Sequence, residues 1–197
     1  MNPMWDRARS DAERSVAFVT SGLALALVML AVCIVIRPES LRVNYGFSYL
    51  GVNTDTIVPY AVALLGVAFC MWRASDLVTE FDHSSIIGPA MKIMAVQFIG
   101  LLLTPYTRFD GPHILFGSTL FLLQLGLAFL AVRWIGGGDR HVPLLTGIMV
   151  LSGLAAAYFL PQSRGFELQA QLVWQLAFWG LFVKLLRGVQ LQPANAV

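Results

Sequence analysis

The chain has 197 residues, 57% of them hydrophobic and only 12% charged, with a net charge of +2 and a mean hydropathy of +0.72. Soluble domains carry roughly 25% charged residues, so an ordinary water-soluble enzyme is excluded. The small net charge, with no basic run, gives no ground for a nucleic-acid partner. Six uncharged runs cover 15–36, 56–72, 93–107, 111–132, 142–163 and 168–183, and about 20 apolar helical residues suffice to cross a bilayer core. The expected fold is all-α: a polytopic membrane protein, with residues 1–197 forming a single domain, a bundle of six transmembrane helices.

In chain order, the first span is expected near 13–36. It is longer than the roughly 7–15 residues of a signal-peptide core and lacks a small-x-small cleavage site, so it reads as a retained helix. Ser10-Asp11-Ala12-Glu13 fits a capping box and predicts a helix start there, ahead of the membrane. The connection Arg37–Thr56 mixes turn formers (Pro38, Asn44, Gly46, Gly51, Asn53) with aromatics (Tyr45, Phe47, Tyr49). A connection of that length points to a functional or gating segment, or to a lid folded down at headgroup level. The second span is expected near 57–74 and the third near 85–105, with Lys92 about two turns inside it, either snorkelling to the headgroups or facing the bundle as a functional cation. The fourth (111–134) opens with His113 and carries Gln124. The segment 135–141 is a flexible turn. The fifth (142–160) and the sixth (166–187) follow, the last with a polar stripe of Glu167, Gln171 and Gln175. Small residues at Gly22, Ala26, Gly153 and Ala157 predict close helix contacts.

Six spans put both termini on one side. Arg7, Arg9, Arg14, Arg73, Lys92, Arg133, Arg140, Lys184 and Arg187 share it, against Arg37, Arg42, Arg108 and Arg164 opposite. The excess of positive charge predicts cytoplasmic termini and a cell-membrane location. Spans three and five end alike, in Pro105-Tyr106-Thr107-Arg108-Phe109-Asp110 and Pro161-Gln162-Ser163-Arg164-Gly165-Phe166-Glu167. Pro stops a helix and an acid suits the next N-terminus; alternatively, the two hairpins gather Arg108, Arg164, Asp110 and Glu167 at one outer mouth, where guanidinium forks hold an anionic headgroup.

His113 follows Asp110 by three positions, on the same helix face. A carboxylate there sets the imidazole tautomer for acid–base work, or His113 is structural. Intramembrane Gln97, Gln124, Gln171 and Gln175 either bond between helices or line a polar cavity. His83 and His141 fall on the opposite side, and no HExxH, CxxC or GxSxG pattern occurs, so neither metal nor cofactor is expected. Cys33 and Cys70, both inside spans, read as core filler.

The stretch Phe47-Ser48-Tyr49-Leu50-Gly51-Val52-Asn53, the third-span end Gly100…Thr104-Pro105, the Asp110…His113 entry and Gly165-Phe166-Glu167-Leu168-Gln169 running to Trp174 occur in that order. This order resembles a prokaryotic six-span membrane family allied to the DRAM and Sfk families, which include a eukaryotic relative acting in GPI-anchor lipid remodelling. The resemblance implies an outer polar cluster at Asp110, His113 and Glu167, and lipid handling. Three functions are therefore expected to compete. The first is a protein that binds, senses or handles membrane lipid through a polar site on the outer face, with Arg108, Arg164, Gln171, Gln175, Gln124 and Lys92 as its candidate ligand-binding residues. The second is an intramembrane enzyme using Asp110, His113 and Glu167 on an apolar substrate. The third is a structural or transport subunit with a homo-oligomeric or membrane-complex partner.

Overall fold

A computed structural model describes residues 3–43, 45–78, 83–159 and 165–189. Among these residues there are seven α-helices and no strands: α1 (Pro3–Ile36), α2 (Gly46–Leu50), α3 (Ile57–Ser75), α4 (Ser84–Leu103), α5 (Asp110–Ile135), α6 (His141–Phe159) and α7 (Glu167–Gly188), with one 3₁₀ turn over Pro38–Arg42. Five helices are long and apolar enough to cross a membrane, in the segments Ser10–Ile36, Ile57–Ser75, Ser84–Leu103, Asp110–Ile135 and His141–Tyr158.

The boundaries follow the apolar runs, with two corrections. Helix α1 is described from Pro3 and runs through Ser10–Glu13 unbroken. The expected capping box at Ser10 is not used; Asp11 pairs instead with Arg14 at 3.4 Å on the exposed surface. Helix α4 stops at Leu103 rather than 105, because Pro105 forces the preceding Thr104 out of helical geometry (φ −117°, ψ 66°).

Neighbouring helices pack in the sequence α1–α3–α4–α5–α7, and α7 returns to α1, closing a ring of five. Helix α6 packs outside, against α7 and α5. Helix α7 carries the polar stripe of Glu167, Gln171 and Gln175 and is also heavily buried, through Trp174, Phe178, Trp179, Leu181, Phe182, Leu185 and Leu186. The two facts belong together: in apolar surroundings glutamines find partners inside the bundle, while outward-facing positions go to residues such as Leu122, Phe129 and Leu151, each more than half exposed. Close approach uses small residues, as expected: Gly22 lies against the Cys70 side chain and Gly153 against the Trp174 ring. Ala157 faces outward instead.

At the end where α3 and α5 finish, charges are paired across the bundle rim. Lys92 reaches back to Asp76 at 3.1 Å and lies over the Trp72 ring at 5.4 Å. Lys184 holds Asp139 at 2.5 Å, which keeps that carboxyl below the usual carboxylate range, with the His141 backbone N–H as a second cause. His83 stacks on Trp134 at 3.9 Å.

Candidate functional site: a lidded cavity at the α2 end

The long connection after α1 folds back as a lid. Arg37 grips Asp55 with Nε at 2.8 Å and Nη2 at 3.1 Å, and reaches Glu39 through Nη1 at 3.1 Å. This fork ties the start of the connection to its end and holds the Asp55 carboxyl below its ordinary range. Glu39 is lowered too, by its own backbone N–H first and Arg37 second. Inside the strap, Thr56 donates to the Leu50 carbonyl at 2.7 Å and the Asn53 amide to the Tyr49 carbonyl at 2.6 Å, so the turn after α2 is satisfied internally.

Two glycines let the lid sit close. Gly46 has φ +52° and Gly165 has φ +70°; a Cβ on Gly46 would strike the Gln171 amide, and one on Gly165 the Arg42 carbonyl. Both lie in the left-handed region that glycine enters at no steric cost. The result docks α2 on the start of α7, where the Phe47 N–H donates to Gln171 Oε1 at 2.9 Å. Gln169 Nε2 adds a bond to the Leu41 carbonyl at 2.7 Å.

Beneath the lid stands His113, buried near the start of α5. Its Nδ1 is 2.6 Å from the Thr104 carbonyl and its Nε2 is 2.7 Å from Ser48 Oγ. A carbonyl only accepts, so Nδ1 carries the proton and neutral Nε2 accepts from the Ser48 hydroxyl. Thr104 O is free for this role because the last carbonyls of a helix have no partner within it, and Pro105 cannot continue α4. Tyr106 lies edge-on to the imidazole at 6.1 Å and stacks on Tyr45 at 4.8 Å. Desolvation raises the Tyr106 phenol above its ordinary range, the neighbouring Tyr45 and Tyr49 adding less. Glu167, at the start of α7, is 8% exposed. Its Oε1 accepts from Gln171 Nε2 at 3.0 Å, while Oε2 is buried with no hydrogen-bond partner.

These groups line one end of a cavity of about 420 Å³ inside the five-helix ring. Ser48, His113, Glu167, Gln171 and Gln175 belong to its wall, and the rest is almost wholly apolar, from Leu23 on α1 and Val67 on α3 to Phe98 on α4 and Trp179 on α7. One wall residue, Ile114, is 56% exposed. A shallow groove between α6 and α7 is open along its length and has no comparable convergence of polar groups.

The expected site is thus partly assembled and partly redrawn. His113, Glu167, Gln171 and Gln175 share the cavity. Asp110 is exposed, and both ring nitrogens of His113 are taken by Thr104 and Ser48, so the acid does not orient the imidazole. In the first turn of α5 it faces outward, where the helix dipole favours it, while His113 turns inward. Arg108 is exposed in the turn between α4 and α5. Arg164 lies outside the described residues. Lys92 is held at the other end by Asp76 and Trp72 and has no part in the cavity. Gln124 is fully buried in an interhelical network: it accepts from Trp174 Nε1 at 2.7 Å and donates to Gln175 Oε1 at 3.1 Å. Its role is packing between α5 and α7, with only Gln175 also reaching the cavity.

Ser48 was not singled out as a functional residue. A lone serine in a connection carries no signal until the fold sets it beside a histidine 65 positions away. Cys33 and Cys70 are both free thiols, and among the described residues no group of three His, Cys, Asp or Glu side chains could hold a metal ion.

Fold and cavity together define the class: an all-helical protein, with helices of membrane-crossing length and composition built around a lidded internal cavity that is polar at one end. No family model, curated protein or solved structure matches the chain.

Proposed function

We propose that this chain is an integral membrane protein that binds lipid, taking an acyl chain into the cavity and the polar part of the lipid at the Ser48–His113–Glu167–Gln171 end. It crosses the cell membrane six times, α7 being the sixth span, with both termini cytoplasmic. The charge asymmetry of the sequence supports that orientation, and the buried Glu167 with the half-buried Gln171 and Gln175 supports α7 as a span inside the bundle.

The observation that carries the reading is the cavity itself, apolar along most of its length and polar at one end. On α7 it extends from Glu167 to Trp179, roughly 18 Å at 1.5 Å per residue. That is about one leaflet of a ~30 Å hydrocarbon core, the depth at which an acyl chain lies. Arg108 supplies an exposed guanidinium at the same end for an anionic headgroup, and Arg164 is assigned the same role from the sequence. The likeness of the Phe47–Asn53 and Asp110–His113 stretches to the DRAM- and Sfk-allied proteins points to the same class of ligand.

Gly117 offers the test. It lines the cavity on α5, and a Cβ there meets only a Leu101 methyl at 3.7 Å, so a side chain starts there unobstructed and Gly117→Phe is expected to fill the cavity. Lipid co-purifying with the protein in mild detergent, counted by mass spectrometry, should fall by about tenfold or more in this variant while its elution and helical circular dichroism stay unchanged. Equal lipid in the folded variant and the wild type would refute the reading.

A further inference from the structure

We infer that Ser48 and His113 are a nucleophile–base dyad for acyl transfer, acting on the ester-linked acyl chain of a membrane lipid. The inference rests on the lipid reading of the cavity and adds a reaction to it. Ser48 Oγ stands 2.7 Å from His113 Nε2, inside the range a base needs to take a hydroxyl proton. The Thr104 carbonyl holds Nδ1–H at 2.6 Å, which fixes the tautomer that leaves Nε2 basic, the orienting role a carboxylate has in other serine nucleophile sites. A hydroxyl that merely tied the lid down would have no need of the rest of the arrangement. Both members line a cavity long enough for an acyl chain, and Glu167, more than nine-tenths buried in the same wall, has one oxygen with no partner among the described residues.

An acyl chain lying along Leu64, Phe98 and Trp179 brings its ester towards the dyad. Ser48 Oγ then bonds to the ester carbonyl carbon as its proton passes to His113 Nε2. The tetrahedral intermediate collapses, the bond between that carbon and the glycerol oxygen breaks, and Nε2 returns the proton to the leaving alkoxide, which departs as a lysolipid. Water, giving its proton to the same Nε2, attacks the acyl-Ser48. The fatty acid leaves and the Ser48 hydroxyl is restored. An alcohol in place of water transfers the chain to a new ester. Neither course involves a change of oxidation state.

The test uses full-length protein in nanodiscs of phosphatidylcholine and phosphatidylglycerol with a fluorescent acyl chain. Release of labelled fatty acid is followed, and the protein is treated in parallel with a long-chain alkyl fluorophosphonate, the site of modification being read by peptide mass spectrometry. The expected result is a fluorophosphonate adduct on Ser48, with release and labelling both lowered by about 100-fold or more in His113→Ala. Ser48→Ala should lose release entirely while its elution and helical circular dichroism stay unchanged. Ser48→Cys, which preserves size and a nucleophile, should accumulate a thioester that hydroxylamine removes; absence of this thioester overturns the dyad if Ser48→Ala fails to fold. Wild-type protein that retains lipid but shows neither release nor a Ser48 adduct overturns the dyad and leaves lipid binding standing. Release that persists in Ser48→Ala overturns it as well. Wild-type protein that holds no lipid in the cavity overturns both proposals.

Discussion

The two ends of the bundle handle polarity in opposite ways. At the end where α3 and α5 finish, Lys92 meets Asp76, Lys184 meets Asp139, and both pairs are partly exposed at the rim, where water screens them. At the α2 end, ion pairing among the described residues is confined to the outer strap of Arg37, Asp55 and Glu39. Beneath it, polar groups turn inward: His113 and Glu167 are buried against a cavity, and one Glu167 oxygen lacks a partner. An unpaired buried polar atom is costly. A fold that pairs Lys92 and Lys184 at one end and keeps that cost at the other has the arrangement expected of a ligand site. The contrast separates stability, which rests on buried apolar helix packing and glutamine bonds, from function, which rests on the lid and what it covers.

The contrast can be broken most severely at the lid hinge. Gly165→Ala places a Cβ on the Arg42 carbonyl at a backbone φ of +70°. It should lower stability in detergent by about 2 kcal/mol or more and expose 37–56 to protease; an unshifted melting curve would show that the close approach is not needed. The next largest effect belongs to packing alone. Gln124→Leu leaves Trp174 Nε1 and Gln175 without their partner and should cost about 1–2 kcal/mol with lipid content unchanged. A loss of lipid in that variant would draw Gln124 into the site. Lys92→Met at the opposite end should shift stability by less than about 1 kcal/mol and leave lipid untouched.

The smallest effect is a pH response. Asp55, Glu39 and Asp139 have carboxyls lowered in the folded state, chiefly by Arg37, by Glu39's own backbone N–H, and by Lys184 respectively. A lowered folded value means that the stabilisation is present above the unfolded value, about 4, and is lost as pH falls through the folded one. Hydrogen exchange of the 37–56 strap should therefore rise below about pH 4. Asp55→Asn should make it fast at neutral pH as well, while exchange around Asp139 keeps its acid response.

Much of the fold was legible in the sequence because a bilayer imposes long, uncharged helices. Each expected span from the second to the sixth meets a helix whose described ends differ by at most two residues, but the sixth, α7, is not among the five helices long and apolar enough to cross a membrane. The lid was legible as a region, through its aromatics and turn formers, but not as a geometry. Its docking depends on Gly46 and Gly165 meeting Gln171 and Arg42 across more than a hundred residues. The site was half legible. His113, Glu167, Gln171 and Gln175 stood out as polar groups in an apolar chain, and they share a wall. The Asp110–His113 pair failed because a shared helix face does not decide which way each side chain turns in the first helical turn. Thr104 went unnoticed as the partner of His113 because it acts through its backbone carbonyl, which every residue possesses. Arg164 lies outside the described residues, so the two-arginine mouth rests on sequence.

Photo-crosslinking with a phospholipid carrying a diazirine midway along one acyl chain tests the central claim most directly, because it reports where the chain lies. The account predicts adducts on cavity residues such as Leu64, Phe98, Ser118 and Trp179, lost in Gly117→Phe. Adducts confined to the outward-facing Leu122, Phe129 and Leu151, at the same level in wild type and variant, would contradict it.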